Sequence, residues 1–211
     1  GADTTSNLLL PTSTPMPISP RGVSFYETPV GSLWCLGEIA NTTAVTLTNV
    51  QVHVLLFDSA GQAVAEADAF AAADLIPPGS SSPFGVLFTA PPAEYANPQV
   101  TVIRGEAAGG LTASYVPVGV ADLSGQPEDG QFRVSGTVQN LSLDTTAGEV
   151  YVIATTYGPD GAVTGFRQNK VPLAAPLGPG ATAPFTMLFS HHGQANPANF
   201  SVIALGRTVT Q

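Results

Sequence analysis

The side chains in this 211-residue chain that could ligate, titrate or attack are few: three histidines, one cysteine and scattered carboxylates. His191 and His192 are adjacent. Neighbours on a strand face opposite ways, so the two can serve one metal only from a loop. They follow Ser190 at an expected strand end, so the alternatives are a loop site or an exposed polar turn. The third histidine is His53. Glu66 and Asp68 are two apart and share one strand face, with Asp74 nearby. Calcium needs several oxygens at close range, and no D-x-[DN]-x-[DN]-G loop organises these three. Asp58-Ser59-Ala60-Gly61 sets one acid before a glycine, which is hairpin chemistry. Cys35 lies between Trp34 and Leu36 in an apolar run and reads as a buried, inert thiol. As the single cysteine it excludes an intrachain disulfide. A serine hydrolase needs a G-x-S-x-G elbow and a zinc protease H-E-x-x-H; neither occurs. The expectation is no catalytic, cofactor-binding or metal-binding residues: not an enzyme.

The elements that carry these residues read as β. Val50, Val52, Val54 and Leu56 alternate with Gln51, His53, Leu55 and Phe57, a period of two. Residues 149–157 are rich in β-branched and aromatic side chains. Both runs end in tight turns, where Gly61 and Gly161 supply the positive φ of a short hairpin. Further strands are expected over residues 62–69 and 162–171, 84–89 and 185–190, and 99–104 and 199–205. Residues 63–75 are alanine-rich, and propensity alone makes them helical. The matching residues 163–170 contain Gly165 and β-branched residues, so both stretches read as strands. Many short strands with Gly/Pro turns predict an all-β fold of antiparallel sandwiches.

The chain says nearly the same thing twice. Leu33-Trp34-Cys35-Leu36-Gly37-Glu38-Ile39-Ala40-Asn41 reappears as Phe132-Arg133-Val134-Ser135-Gly136-Thr137-Val138-Gln139-Asn140. Pro78-Gly79 followed by Pro83-Phe84 reappears as Pro179-Gly180 followed by Pro184-Phe185, and Ala96-Asn97-Pro98 as Ala195-Asn196-Pro197. The offset is one small domain, far longer than a solenoid repeat. The organisation read from this is a Thr/Ser/Pro-rich leader or linker over residues 1–21, a first sandwich over 22–106 and a second over 107–211. The leader's prolines favour an extended chain, although the segment around Ile18 has room to lie against the first domain. Almost no free linker remains between the repeats, which restricts their arrangement. Gly37 and Gly136, mid-strand, mark a bulge or a close backbone approach. Asn41 and Asn140, where a strand enters a turn, read as turn-holding side chains. Phe88 and Phe189 are expected at the same place in each core, and Trp34 in the first core.

There are 15 acidic and 6 basic residues, and the first repeat holds most of the acids. That balance argues against nucleic acid and against direct attraction to an anionic membrane, which both need a basic patch. No apolar run is long enough to cross a membrane. Gly1-Ala2-Asp3 reads as a trimmed start, so an upstream export signal or lipid anchor is an open expectation.

Gly37-Glu38-Ile39-Ala40-Asn41-Thr42, then Asn49 to Gly61, then Ile76-Pro77-Pro78-Gly79, resembles the FxLYD-type domain, a small Ig-like β-sandwich of bacterial and archaeal exported proteins and lipoproteins. The second repeat keeps Gly136, Asn140, Tyr157, Gly161, Pro179-Gly180 and Pro184-Phe185 but has Gly158 where the first has an acid after the aromatic. The resemblance implies two tandem Ig-like sandwiches and an extracellular or cell-envelope location, and it brings no catalytic residues. The functional expectation is a non-catalytic cell-surface module acting as a spacer or protein-interaction domain, with a protein or envelope component as partner. The alternative is a module that binds a peptide, a glycan or an envelope component on a sheet face, on an edge or in the groove between domains. Tyr26, Trp34, Tyr95 and Tyr115 are the aromatics from which such a surface would be built.

Overall fold

The computed structural model describes residues 18–193 and 195–209. Residues 1–17, most of the stretch read as a leader, lie outside the described residues. Ile18 is described, and it is buried in the first core.

The first repeat has six strands: β1 (Pro20–Glu27), β2 (Leu33–Ala40), β3 (Leu47–Phe57), β4 (Ala63–Phe70), β5 (Ser81–Phe88) and β6 (Ala96–Ala107). They form two antiparallel sheets, β1-β2-β5 (sheet I) and β4-β3-β6 (sheet II). A six-residue 3₁₀ helix, Gly109–Ser114, leads into the second repeat. There β7 (Tyr115–Val116), β8 (Val118–Glu128), β9 (Gln131–Asn140), β10 (Ala147–Tyr157), β11 (Val163–Lys170), β12 (Thr182–Phe189) and β13 (Asn199–Thr208) follow. They form β8-β9-β12 (sheet III) and β11-β10-β13-β7 (sheet IV). Strand order repeats between the halves, with the small β7 as the addition, and so does the β2–β5 register in β9–β12, whereas β3–β6 carries bulges that β10–β13 lacks. The alanine-rich residues 63–70 are strand β4 rather than helix: every second residue turns to the core, and strand pairing with β3 outweighs alanine's helical preference.

Each sandwich has its own core. Val50, Val52, Val54 and Leu56 all face the first, together with Cys35, Ile39, Phe84 and Phe88. The second holds Phe132, Val134, Val150, Val152, Phe185 and Phe189. Phe88 pairs with Leu33 and Phe189 with Phe132 across equivalent strands.

The repeated small and polar residues have matching structural duties. Gly37 is paired with Phe84 and Gly136 with Phe185. The phenylalanine ring lies so close over each glycine that a Cβ at Gly37 would sit 2.6 Å from Phe84 Cζ, and one at Gly136 3.0 Å from Phe185 Cε1. The bulge lies not at the glycines but in the neighbouring strand, between Arg21 and Ser24 and between Ala121 and Ser124. Asn41, 1 % exposed, donates through Nδ2 to Val45 O and Ile76 O, and its Oδ1 accepts from Thr43 N. Asn140 does the same with Thr145 O, Leu177 O and Ser142 N. Each asparagine therefore ties the loop after β2 or β9 to the chain before β5 or β12, with the bond to Ile76 O or Leu177 O buried.

Candidate functional site: the junction between the sandwiches

Alternation along β2 puts Leu33, Cys35 and Ile39 into the first core, so Trp34, Leu36 and Glu38 point out of it. Leu36 and Glu38 are nevertheless buried, because the outer face of sheet I is covered by the outer face of sheet IV. Ile153 of β10, 1 % exposed, joins the first core's cluster with Ile203 and Leu205 of β13 at its edge. Phe166 of β11 lies over Gly85, where a Cβ would come within 3.0 Å of its ring, and against Leu36. Ser24 donates to Val163 O at 2.5 Å, and Gly22 (φ 58°) closes on Gly161 O so tightly that a Cβ would lie 2.7 Å away. The two repeats are stacked sheet on sheet in four layers.

Three polar or aromatic clusters border this junction. In the first, Glu38 accepts from Arg21 Nε at 2.7 Å and from the Tyr157 hydroxyl at 3.0 Å, while Arg21 Nη2 donates to Ser81 Oγ and Tyr157 shares a hydrogen bond with Ser201. Burial pushes the Tyr157 phenol up to about 12, and the neighbouring Glu38 carboxylate adds to the rise. A carboxylate between Leu36 and Ile39 was the one sequence signal for this buried partner set. Arg21, Glu38, Tyr157 and Asn199 line an open groove of about 510 Å³.

The second cluster centres on Arg207 of β13. Its guanidinium pairs with Asp74 of the first repeat and lies between the rings of Tyr115 (5.9 Å) and Tyr151 (5.3 Å). Tyr115 also donates to Asp74 at 3.1 Å. Burial, then Asp74, raise the Tyr115 phenol, and the bond to Asp74 raises the Arg207 guanidinium. Beside them is a groove of about 360 Å³ bounded by Asn49, Phe70, Leu111 and these residues. Asp74, grouped by sequence with Glu66 and Asp68, is thus an interdomain ion-pair partner instead.

The third cluster holds the adjacent histidines. His192 is not in an exposed turn: its ring stacks on Tyr26 (5.4 Å, 19°) and lies 6.3 Å from Trp34. Trp34, expected in the first core, is on the opposite face of β2 and half-buried beside this histidine. The reason is register: Leu33 and Cys35 take the inward positions on either side of it.

The remaining candidates lie apart. Glu66 and Asp68 do share a face, and His53 sits between them, its Nδ1 2.5 Å from Asp68 Oδ1 and its Nε2 3.6 Å from Glu66 Oε2. The carboxylates meet opposite edges of the ring, so the three do not converge on one point. Among the described residues no cluster of three such side chains has metal-binding geometry. His53 was missed as their partner because the β3–β4 register that pairs it with Asp68 cannot be counted from sequence. Cys35 is fully buried, and burial pushes its thiol up to about 12, away from thiolate chemistry. Tyr95 packs on Phe25 at 6.1 Å.

The two outer faces not used in the junction differ from those that are at equivalent register positions, although sheet II also exposes Phe70 and Ile103. Where sheet IV presents Ile153, Phe166 and Ile203, the equivalent face of sheet II presents His53, Glu66 and Thr101. Where sheet I presents Trp34, Leu36 and Glu38, sheet III presents Arg133, Ser135 and Thr137.

No known family model matches the chain, and no curated protein does.

Proposed function

We propose that this chain is a non-catalytic, exported cell-surface module of the FxLYD-type, Ig-like kind, acting as a rigid spacer or protein-interaction unit. The observation that carries the reading is the sheet-on-sheet junction. Its two contributing faces bury Leu36, Glu38 and Ile153 against one another, and Glu38–Tyr157 and Asp74–Arg207 pair across its borders. A pair held this way keeps a fixed length, and Phe70 and Ile103 on the outer face of sheet II remain exposed. The polar residues shared by the repeats support it too: Asn41, Asn140, Gly37 and Gly136 all serve the fold. The partner would be a protein or an envelope component. Fractionation of cells expressing the full-length gene product tests the location; recovery in the cell envelope or medium supports the reading, and recovery in the cytoplasm contradicts it.

The groove beside Arg207 favours a second reading, a ligand-binding module for a peptide, glycan or envelope component. It combines aromatic faces (Tyr115, Phe70) with hydrogen-bonding groups (Asp74, Asn49), the mixture that orients a polar ligand with apolar faces. A glycan and peptide array probed with the wild type and with Tyr115→Ala distinguishes the two: binding lost in the variant favours the ligand module, and no binding favours the spacer.

A further inference from the structure

We propose that His191 and His192 form an acid-released clasp: on protonation His192 leaves the Tyr26–Trp34 surface, and this edge of the junction between the sandwiches loosens. The loop after β12 is pressed onto β11. Gly165 has no room for a Cβ, which would meet Ser190 O at 3.0 Å and the His191 Cα at 3.2 Å, and His192 N donates to Thr164 O at 2.7 Å. From that anchored loop the His192 ring reaches across to the other sandwich and lies flat on Tyr26 of β1, beside Trp34 of β2. His191 is next to it, with its Nδ1 buried and without a hydrogen-bond partner among the described residues. A second proton on that ring would have no acceptor at Nδ1.

The charged and titratable groups around the clasp do not offset a positive charge. Tyr26 from β1 and Trp34 from β2 face the histidine with their aromatic rings. Glu27 follows Tyr26 but lies on the other side of β1, by Tyr95. From β11, Arg167 donates to Leu188 O at the base of the loop and adds positive charge. Among the described residues no carboxylate ion-pairs with either histidine. Burial, then the neighbouring His191, hold the His192 imidazole below its ordinary value. The attraction of an imidazolium for the Tyr26 face opposes release, but burial and the second histidine act against it. The sign follows: the clasp is at full strength above about pH 6.5, the ordinary imidazole value, and is lost as pH falls below it.

The chain has one tryptophan, Trp34, so its emission reads this contact directly. The expected result is a reversible red shift of the wild-type protein between pH 7.5 and 4.5 at unchanged far-ultraviolet circular dichroism, with its midpoint below about 6.5. His192→Phe, which keeps the stack without a titrating ring, should abolish the shift. His191→Gln, which removes the like charge, should move the midpoint upward. A flat wild-type profile, or a shift that persists in His192→Phe, overturns the proposal. If His192→Phe does not fold, His192→Gln serves in its place with the same two outcomes.

Discussion

Tyr157 of the second sandwich donates a 3.0 Å hydrogen bond to Glu38 of the first, across 119 positions of sequence. The bond joins a buried carboxylate to a largely buried phenol at the border of two stacked sheets, so it belongs to the junction rather than to either core. Tyr157→Phe removes the hydroxyl but leaves Glu38 paired with Arg21. It should lower stability by about 0.5–1.5 kcal/mol, read as a shift in the urea midpoint. Glu38→Ala removes the acceptor of both bonds and should cost more than Tyr157→Phe in the same measurement.

Asn41→Ala should destabilise the first sandwich and Asn140→Ala the second by similar amounts. Each deletion removes two hydrogen bonds to backbone carbonyls, one of them buried, and a typical bond contributes about 0.5–1.5 kcal/mol. Hydrogen exchange resolves the two halves. Equal losses of protection confined to the mutated half are expected.

Gly37→Ala should be destabilising although alanine favours regular structure, because the new Cβ would collide with the fully buried Phe84 ring. Overpacking of this kind costs about 1–3 kcal/mol. Gly61→Ala loses stability for a different reason, its φ of 81° in an open turn. The double variant Gly37→Ala, Phe84→Leu should regain part of the loss if the collision is the cause, and thermal melts of the three proteins decide it.

Stability should fall at alkaline pH. Burial raises the Cys35 thiol and the Tyr157 phenol, each up to about 12. For a raised pKa the native state holds its proton longer than the unfolded chain does. The contribution is complete below the unfolded values, about 8.5 for Cys and 10 for Tyr, and is lost as pH rises from there towards 12. Denaturant midpoints at pH 7, 9 and 10.5 should decrease in that order, and Cys35→Ala should flatten the first step. The same burial predicts that a thiol reagent labels Cys35 only in the unfolded protein.

Much of the fold was legible because it is written in alternation. Val50, Val52, Val54 and Leu56 all turned inward as their period implied, and comparison with Gly165 kept residues 63–70 out of a helix. The roles of Asn41 and Gly37 were legible from the repeat in outline, though not their partners Ile76 and Phe84, which lie on other strands. The junction was not legible. Alternation identifies a core face only when the opposite face is wet, and β2 is buried on both, so Trp34 read as core like its neighbours. Arg207 and Asp74 are 133 positions apart, and no local pattern links them.

The sheet-on-sheet junction makes the two sandwiches one rigid body. Pulsed electron spin resonance tests it most directly, with labels on Ser59→Cys in the first repeat's β3–β4 turn and Leu143→Cys in the second repeat, two exposed sites. Cys35 is too deeply buried to take a label. A single narrow distance distribution is expected at pH 7.5, broadened by Ile153→Asp, which sets a charge in the apolar stack. A broad or multi-peaked distribution in the otherwise wild-type protein would contradict it.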